Sequence, residues 1–209
     1  MATAVQGLAL TEDDLRALGL VIAQWAVAEM IFLNVLKLLH ESPAVKETAL
    51  AADDVHAFRR KRENWKKTVR LALASNPELM EIAVFLGGRG KELAEEREFA
   101  AHWPASRAVK NEDGRVHFSD PRNLTEGSVS YDTPSLLALA GEIQTWGAMV
   151  GMLAVTVIFE VTPEAWPGVR NGQKPEWMFD LLRHYQKTPR TRRSPKIAKP
   201  QPPRRSSAG

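Results

Sequence analysis

Cysteine is absent from all 209 residues. That excludes disulfides, thiolate metal sites and a cysteine nucleophile, and it fits a reducing, cytoplasmic setting. Metal-ligand spacing is missing as well. The five histidines, His40, His56, His102, His117 and His184, show no paired arrangement, so neither a metal nor a cofactor is expected. No Ser-His-Asp triad can be argued from residue order. Long apolar runs are scarce: the longest, Trp146 to Phe159, closes at Glu160, too short to span a bilayer and better read as a buried core helix. Met1 to Leu10 lacks the charged-then-apolar pattern of a secretion signal. The expectation is a soluble protein with no membrane partner.

Acid is what the C-terminus lacks. Lys187 to Gly209 holds eight basic residues and no acidic one, with five prolines and almost nothing apolar. Removing those eight from the 28 bases leaves 20 against 25 acids, so residues 1–186 carry about −5 and the tail +8. Such a tail cannot bury enough surface to offset its ordering entropy and is expected to be disordered. A basic arm adds salt-sensitive, sequence-independent affinity for nucleic acid, with Arg190, Arg192 and Arg193 as candidate contacts. The alternative is a solubilising tail. The expected organisation is a flexible segment 1–10, one helical domain 11–186 and the basic tail 187–209.

What is present in quantity is helical periodicity. Thr11 followed by Asp14 has the form of a capping arrangement, with Glu12 and Asp13 suited to a helix N-terminus. Leu15, Leu18, Ile22, Trp25, Glu29, Phe32, Leu36 and Leu39 then trace one face in steps of three and four. Val21, Ala28, Ile31, Val35 and Leu38 add a second face, so this helix is expected to be central. Glu29 stands inside the first stripe and must find a cation or hydrogen-bond donors.

A second helix is expected from about Ala51 to Ser75, with Arg62 inside its apolar stripe and a basic run that includes Lys66. That run reads as a solvated face, or as a surface for phosphate, with Arg62 and Lys66 as candidates. Asn76-Pro77-Glu78 starts a third helix. Gly87-Gly88-Arg89-Gly90 is expected to bend or break it. Gly-Gly-Arg-Gly-Lys is no phosphate loop, because Glu92 stands where Ser or Thr is required.

Beyond Pro104 the pattern changes. Asn111-Glu112-Asp113-Gly114 between Arg107–Lys110 and Arg115–Phe118 predicts a β-hairpin, and residues 127–131 a further extended piece. Thr133-Pro134 is expected to cap a long core helix to about Val161. Ala140, Gly147 and Ala154 recur on it every seven residues and let another helix approach closely, within the domain or across a dimer. Lys174-Pro175 opens a short helix whose Trp177, Leu181 and Tyr185 should dock on the body.

The segment Arg97-Glu98-Phe99-Ala100-Ala101-His102, followed by Trp103-Pro104, places a permanent cation and a titratable imidazole at a predicted helix end. At 100° per residue Arg97 and His102 lie roughly 140° apart, so convergence needs an unwound helix end or a second copy. Glu98 shares a face with His102, and together with the helix C-terminus would raise its pKa. The spacing resembles the Arg-x(4–6)-His signature of the HEPN superfamily of small helical proteins. Two long helices ahead of the motif, the first with a buried acid, extend that resemblance over about residues 11–161.

The resemblance implies a mainly α fold, a four-to-five-helix up-down bundle with the hairpin as an insertion. It further implies a homodimer in which two motifs meet at one groove, and a metal-independent, toxin-like endoribonuclease acting on RNA, with a cognate antitoxin as partner. His102 would accept the ribose 2′-hydroxyl proton and Arg97 would clamp the phosphate. Glu98 departs from the family's nucleases, which commonly carry Asn, Asp or His there. A non-catalytic dimerising or partner-binding module is the competing reading, and a purely structural Arg97 held by Glu29 is the third. A Glu29–Arg97 hydrogen bond of about 3 Å is expected.

Overall fold

The computed structural model describes residues 10–46, 58–102, 109–110, 116–118, 129–161 and 176–189. For residues 99–102, 109–110, 116–118, 129–130 and 159–161 it gives the backbone course alone. Six helices are present among these residues: α1 Glu12–His40, α2 Pro43–Lys46, α3 Phe58–Ala72, α4 Pro77–His102, α5 Thr133–Val161 and α6 Glu176–Lys187. The protein is mainly helical. Segments β1 Val109–Lys110, β2 Val116–Phe118 and β3 Val129–Tyr131 pair antiparallel in the order β1-β2-β3. The turn expected at Asn111–Gly114, the flexible segment before Leu10 (residues 1–9) and the tail from Arg190 on lie outside the described residues.

Local chemistry explains most helix ends. Thr11 and Asp14 form a capping box: the Thr11 hydroxyl accepts from the Asp14 amide while the Asp14 carboxylate accepts from the Thr11 amide at 2.9 Å. Asp14 also accepts from the Thr133 hydroxyl at 2.6 Å, tying the start of α1 to the start of α5. Asn76 caps α4 by accepting from the Leu79 amide at 3.1 Å. The cap of α5 is Asp132, which accepts from the Ser135 amide at 2.7 Å, and not Thr133, which is already the first helical residue.

Residue contacts give the helix directions. Asp14 meets Thr133, and a Cβ on Gly147 would touch Ala28, so α1 and α5 advance together. Along α3, Phe58 packs on Trp25 and the Thr68 hydroxyl lies 3.3 Å from His40 Nε2, so α3 runs the same way. α4 runs against all three, with Trp65 at Ala83 and Trp146 at Leu86. Strict up-down alternation, expected from the sequence, is therefore not what these contacts show, since α1 and α3 run parallel. The small-residue stripe of α5 is used within the chain, where Gly147 admits Ala28 of α1.

Three sequence expectations are corrected by packing. The Gly-Gly-Arg-Gly stretch neither bends nor breaks α4, which is continuous from Pro77 to His102. The Trp65 indole N–H donates to the Ala83 carbonyl and the Trp146 indole N–H to the Leu86 carbonyl, both at 2.9 Å. A Cβ on Gly87 would stand 2.8 Å from Trp65, and one on Gly90 2.5 Å from Trp146. The glycines are windows through which two indoles reach the helix backbone. Secondly, Leu15 and Ile22 point outward, while Ala17, Leu18 and Val21 take the core positions. Thirdly, α6 docks through Phe179 and Leu182, with Tyr185 against Phe85; Trp177 and Leu181 remain exposed.

The core between these helices is aromatic. Trp25, Phe32, Phe58, Trp65 and Trp146 stack or meet edge to face, the closest pair being Phe32 and Trp65 with centroids 4.2 Å apart. By length and composition α1 and α5 both match a membrane-crossing helix. The short-run argument drawn from Trp146 to Phe159 thus does not carry over to the helix that contains it.

The glycine windows make a clear prediction. Gly90→Ala should destabilise the protein by about 1–3 kcal/mol, since the added methyl overpacks a buried indole. Gly88→Ala, where a Cβ meets nothing within 4 Å, should be neutral or stabilising by about 0.5–1 kcal/mol. Denaturant unfolding of both variants checks this; equal effects would refute the window account.

Candidate functional site

Because α4 lies against both α3 and α1, its last turns bring Arg97 beside Trp25. The Arg97 guanidinium carbon sits 5.0 Å from the centroid of the Trp25 ring. Burial draws the guanidinium below its usual pKa, and the charges of Glu29 and Glu98 push back. Its Nε is buried without a hydrogen-bond partner. That nitrogen is a donor in search of an acceptor.

The expected Glu29–Arg97 hydrogen bond is not formed. Glu29 accepts from the Trp25 indole N–H at 2.8 Å and from Lys61 Nζ at 3.0 Å, and it acts on Arg97 through space alone. The reason is geometric. Trp25 stands one turn before Glu29 on the same face, and Lys61 projects from α3 into the same gap. Both side chains of the Glu29–Lys61 pair are largely buried.

A cleft of about 830 Å³ opens between α3 and α4, with Glu29 of α1 in its wall. Arg97, Glu98, Glu29 and Arg62 all line it, so four of the residues singled out in the sequence meet in one place. Lys66 is exposed on α3 and is not in the lining. Arg59, from the basic run read as a solvated face, and Lys91, the lysine of the rejected phosphate-loop pattern, line it as well. Trp25, the platform under Arg97, was placed in the core; its i,i+4 relation to Glu29 was the available signal.

The charges of the cleft nearly cancel. Arg59 pairs with Glu63 at 3.4 Å, Lys91 with Glu95 at 3.6 Å, and Lys61 takes Glu29. The lining alone carries four cations and four acids, and Lys61, outside the lining, tips the balance by one. Among the described residues Arg62 and Arg97 stand against Glu98.

His102 is the last helical residue of α4, and the helix is unbroken from Arg97 to it. The unwinding that would bring the pair together within one chain is therefore absent from the backbone. Arg190, Arg192 and Arg193 lie outside the described residues. No group of three or more His, Asp or Glu side chains suited to a metal occurs among the described residues. Comparison of the chain with protein-family models, with curated proteins and with solved structures finds no match.

The corrected pairing is testable by double-mutant cycles. Glu29→Ala and Lys61→Ala should couple by about 1 kcal/mol or more in unfolding free energy, as partners in one network do. Glu29→Ala and Arg97→Ala should couple by less than half as much. A stronger Glu29–Arg97 coupling would reinstate the direct bond.

Proposed function

We propose that the α3–α4 cleft receives the phosphate backbone of RNA and that the protein is a metal-independent endoribonuclease acting as a homodimer. The observation that carries this reading is Arg97: a cation backed by Trp25 that lines the cleft. A guanidinium lining a cleft suits a phosphodiester, whose oxygens it can bind in bidentate fashion. Arg62 adds a second cation. In the proposed reaction the His102 imidazole takes the proton of a ribose 2′-hydroxyl. The 2′-oxygen attacks phosphorus, the bond to the 5′-oxygen breaks, and that oxygen takes a proton from solvent. Arg97 offsets the charge that builds on the phosphoryl oxygens. Since α4 stays helical through His102, the imidazole that complements one Arg97 comes from a second copy.

A second reading is supported by Glu98, which lines the same cleft. An acid beside the phosphate site weakens catalysis more than docking, and a non-catalytic module that binds RNA or a protein partner such as an antitoxin then results. One experiment separates the two. The purified full chain should cleave single-stranded RNA in excess EDTA and leave 2′,3′-cyclic phosphate ends. His102→Ala should abolish cleavage and spare binding, whereas Arg97→Ala should weaken both. Deleting residues 187–209 should lower affinity and flatten its salt dependence without removing cleavage. Binding with no cleavage above the His102→Ala level defeats the enzyme reading; no binding of either kind defeats both.

A further inference from the structure

We infer that the outward face of α1 is a self-association surface that takes the α1 of a second copy in the antiparallel sense. At about 100° per residue, Glu12, Gly19, Ala23, Met30 and Lys37 fall on one line down the helix. That line lies opposite the buried row of Leu18, Val21, Trp25, Ala28 and Phe32. All five residues on it are exposed.

Beside the line stand Leu15, Leu20, Ile22 and Val27, exposed by 40–51%, and Met30 on it is exposed by 56%. The apolar part comes to roughly 500 Å², comparable to the patches that mark interaction sites on single-chain proteins. With a rim of Glu12, Arg16, Asn34 and Lys37 it approaches the about 800 Å² per partner that standard interfaces bury.

Charge and shape both select a reversed second copy. The face is acidic at one end, at Glu12 and Asp13, and basic at the other, at Lys37. Placing Glu12 of one copy opposite Lys37 of the other sets a two-fold register. The same register puts Met30 opposite Gly19, where a Cβ would meet nothing within 4 Å, so the longest exposed side chain faces the shallowest position. It also puts Ala23 opposite Ala26, which lets the helices close around the axis, and brings Leu20 of one copy beside Val27 of the other on one flank. A lipid surface fits less well. The face carries Glu12 and Asp13 at one end and Lys37 at the other, opposite charges that a reversed second copy pairs and a neutral lipid surface does not.

The axis is perpendicular to α1 and lies in the contact plane, so the Glu29 flank of both copies is on one side. Both Arg97 clefts then open the same way. The proposal stands on α1 and does not rest on the nuclease reading, and its readout is mass rather than cleavage.

Sedimentation equilibrium of the full chain over a concentration series should give twice the 23.3 kDa chain mass. Leu20→Asp combined with Val27→Asp places acids beside acids on that flank and should weaken association at least tenfold while the helical circular dichroism stays unchanged. Lys37→Glu should weaken it too, and Lys37→Glu together with Glu12→Lys and Asp13→Lys should restore it. That rescue is specific to the reversed register and does not depend on an apolar-to-charged change. A single-copy mass at every concentration, association untouched by these substitutions, or flotation of single chains with phosphatidylcholine vesicles would each overturn the proposal.

Discussion

Two indoles hold the molecule together through the backbone of α4. The carbonyls of Ala83 and Leu86 each stand four residues before a glycine, so in the helix they accept from the amides of Gly87 and Gly90. A carbonyl has two lone pairs, and the Trp65 and Trp146 indoles take the second of each. This requires bare backbone at both glycines, since a Cβ would collide with the rings. Leaving either buried indole N–H without an acceptor would cost about 1–3 kcal/mol. Trp65 comes from α3 and Trp146 from α5, so α4 is fixed from two sides at neighbouring turns.

The cleft follows from that placement. With α4 pinned at Gly87 and Gly90, its last turns run past α3 and bring Arg97 over Trp25, the ring that stacks on Trp146. The Trp25 indole N–H holds Glu29, and Glu29 holds Lys61. The network therefore neutralises its own acid and leaves the guanidinium of Arg97 short of an acceptor. A core aromatic contact and a surface electrostatic feature share one side chain, Trp25. Removing it would disturb both at once.

Much of the fold was legible where side-chain chemistry acts locally. Thr11 with Asp14 and Asn76 before Pro77 are short-range signals, and the helices begin where those signals stand; the stop expected ahead of Pro104 lies at the edge of the described residues. Long-range relations were less visible. Gly-Gly-Arg-Gly has the propensity of a helix break, and only the two tryptophans far off in sequence turn it into a docking surface. Lys61 looked like one charge in a solvated run, so Glu29 was matched to the conspicuous Arg97 instead. α1 is apolar on nearly every side along its middle, so its periodicity could not say that Leu15 and Ile22 face out. Helix direction was not readable at all, because periodicity within a helix says nothing of its sense relative to its neighbours. Arg97, Glu29, Glu98 and Arg62 were singled out as charges that interrupt an apolar stripe or a motif, and that mismatch brought them to one cleft.

Hydrogen exchange of the tryptophan indole N–H groups, followed by nuclear magnetic resonance, tests the anchoring of α4 most directly. The Trp65 and Trp146 indole protons should exchange only through global unfolding, at the rate of the slowest core amides, because each is buried and bonded to a helix carbonyl. The Trp177 indole, on a side chain 61% exposed, should exchange quickly and supplies the internal reference. If the Trp65 or Trp146 proton exchanges as fast as that of Trp177, α4 is not held by its glycine windows, and the Arg97 cleft loses its foundation.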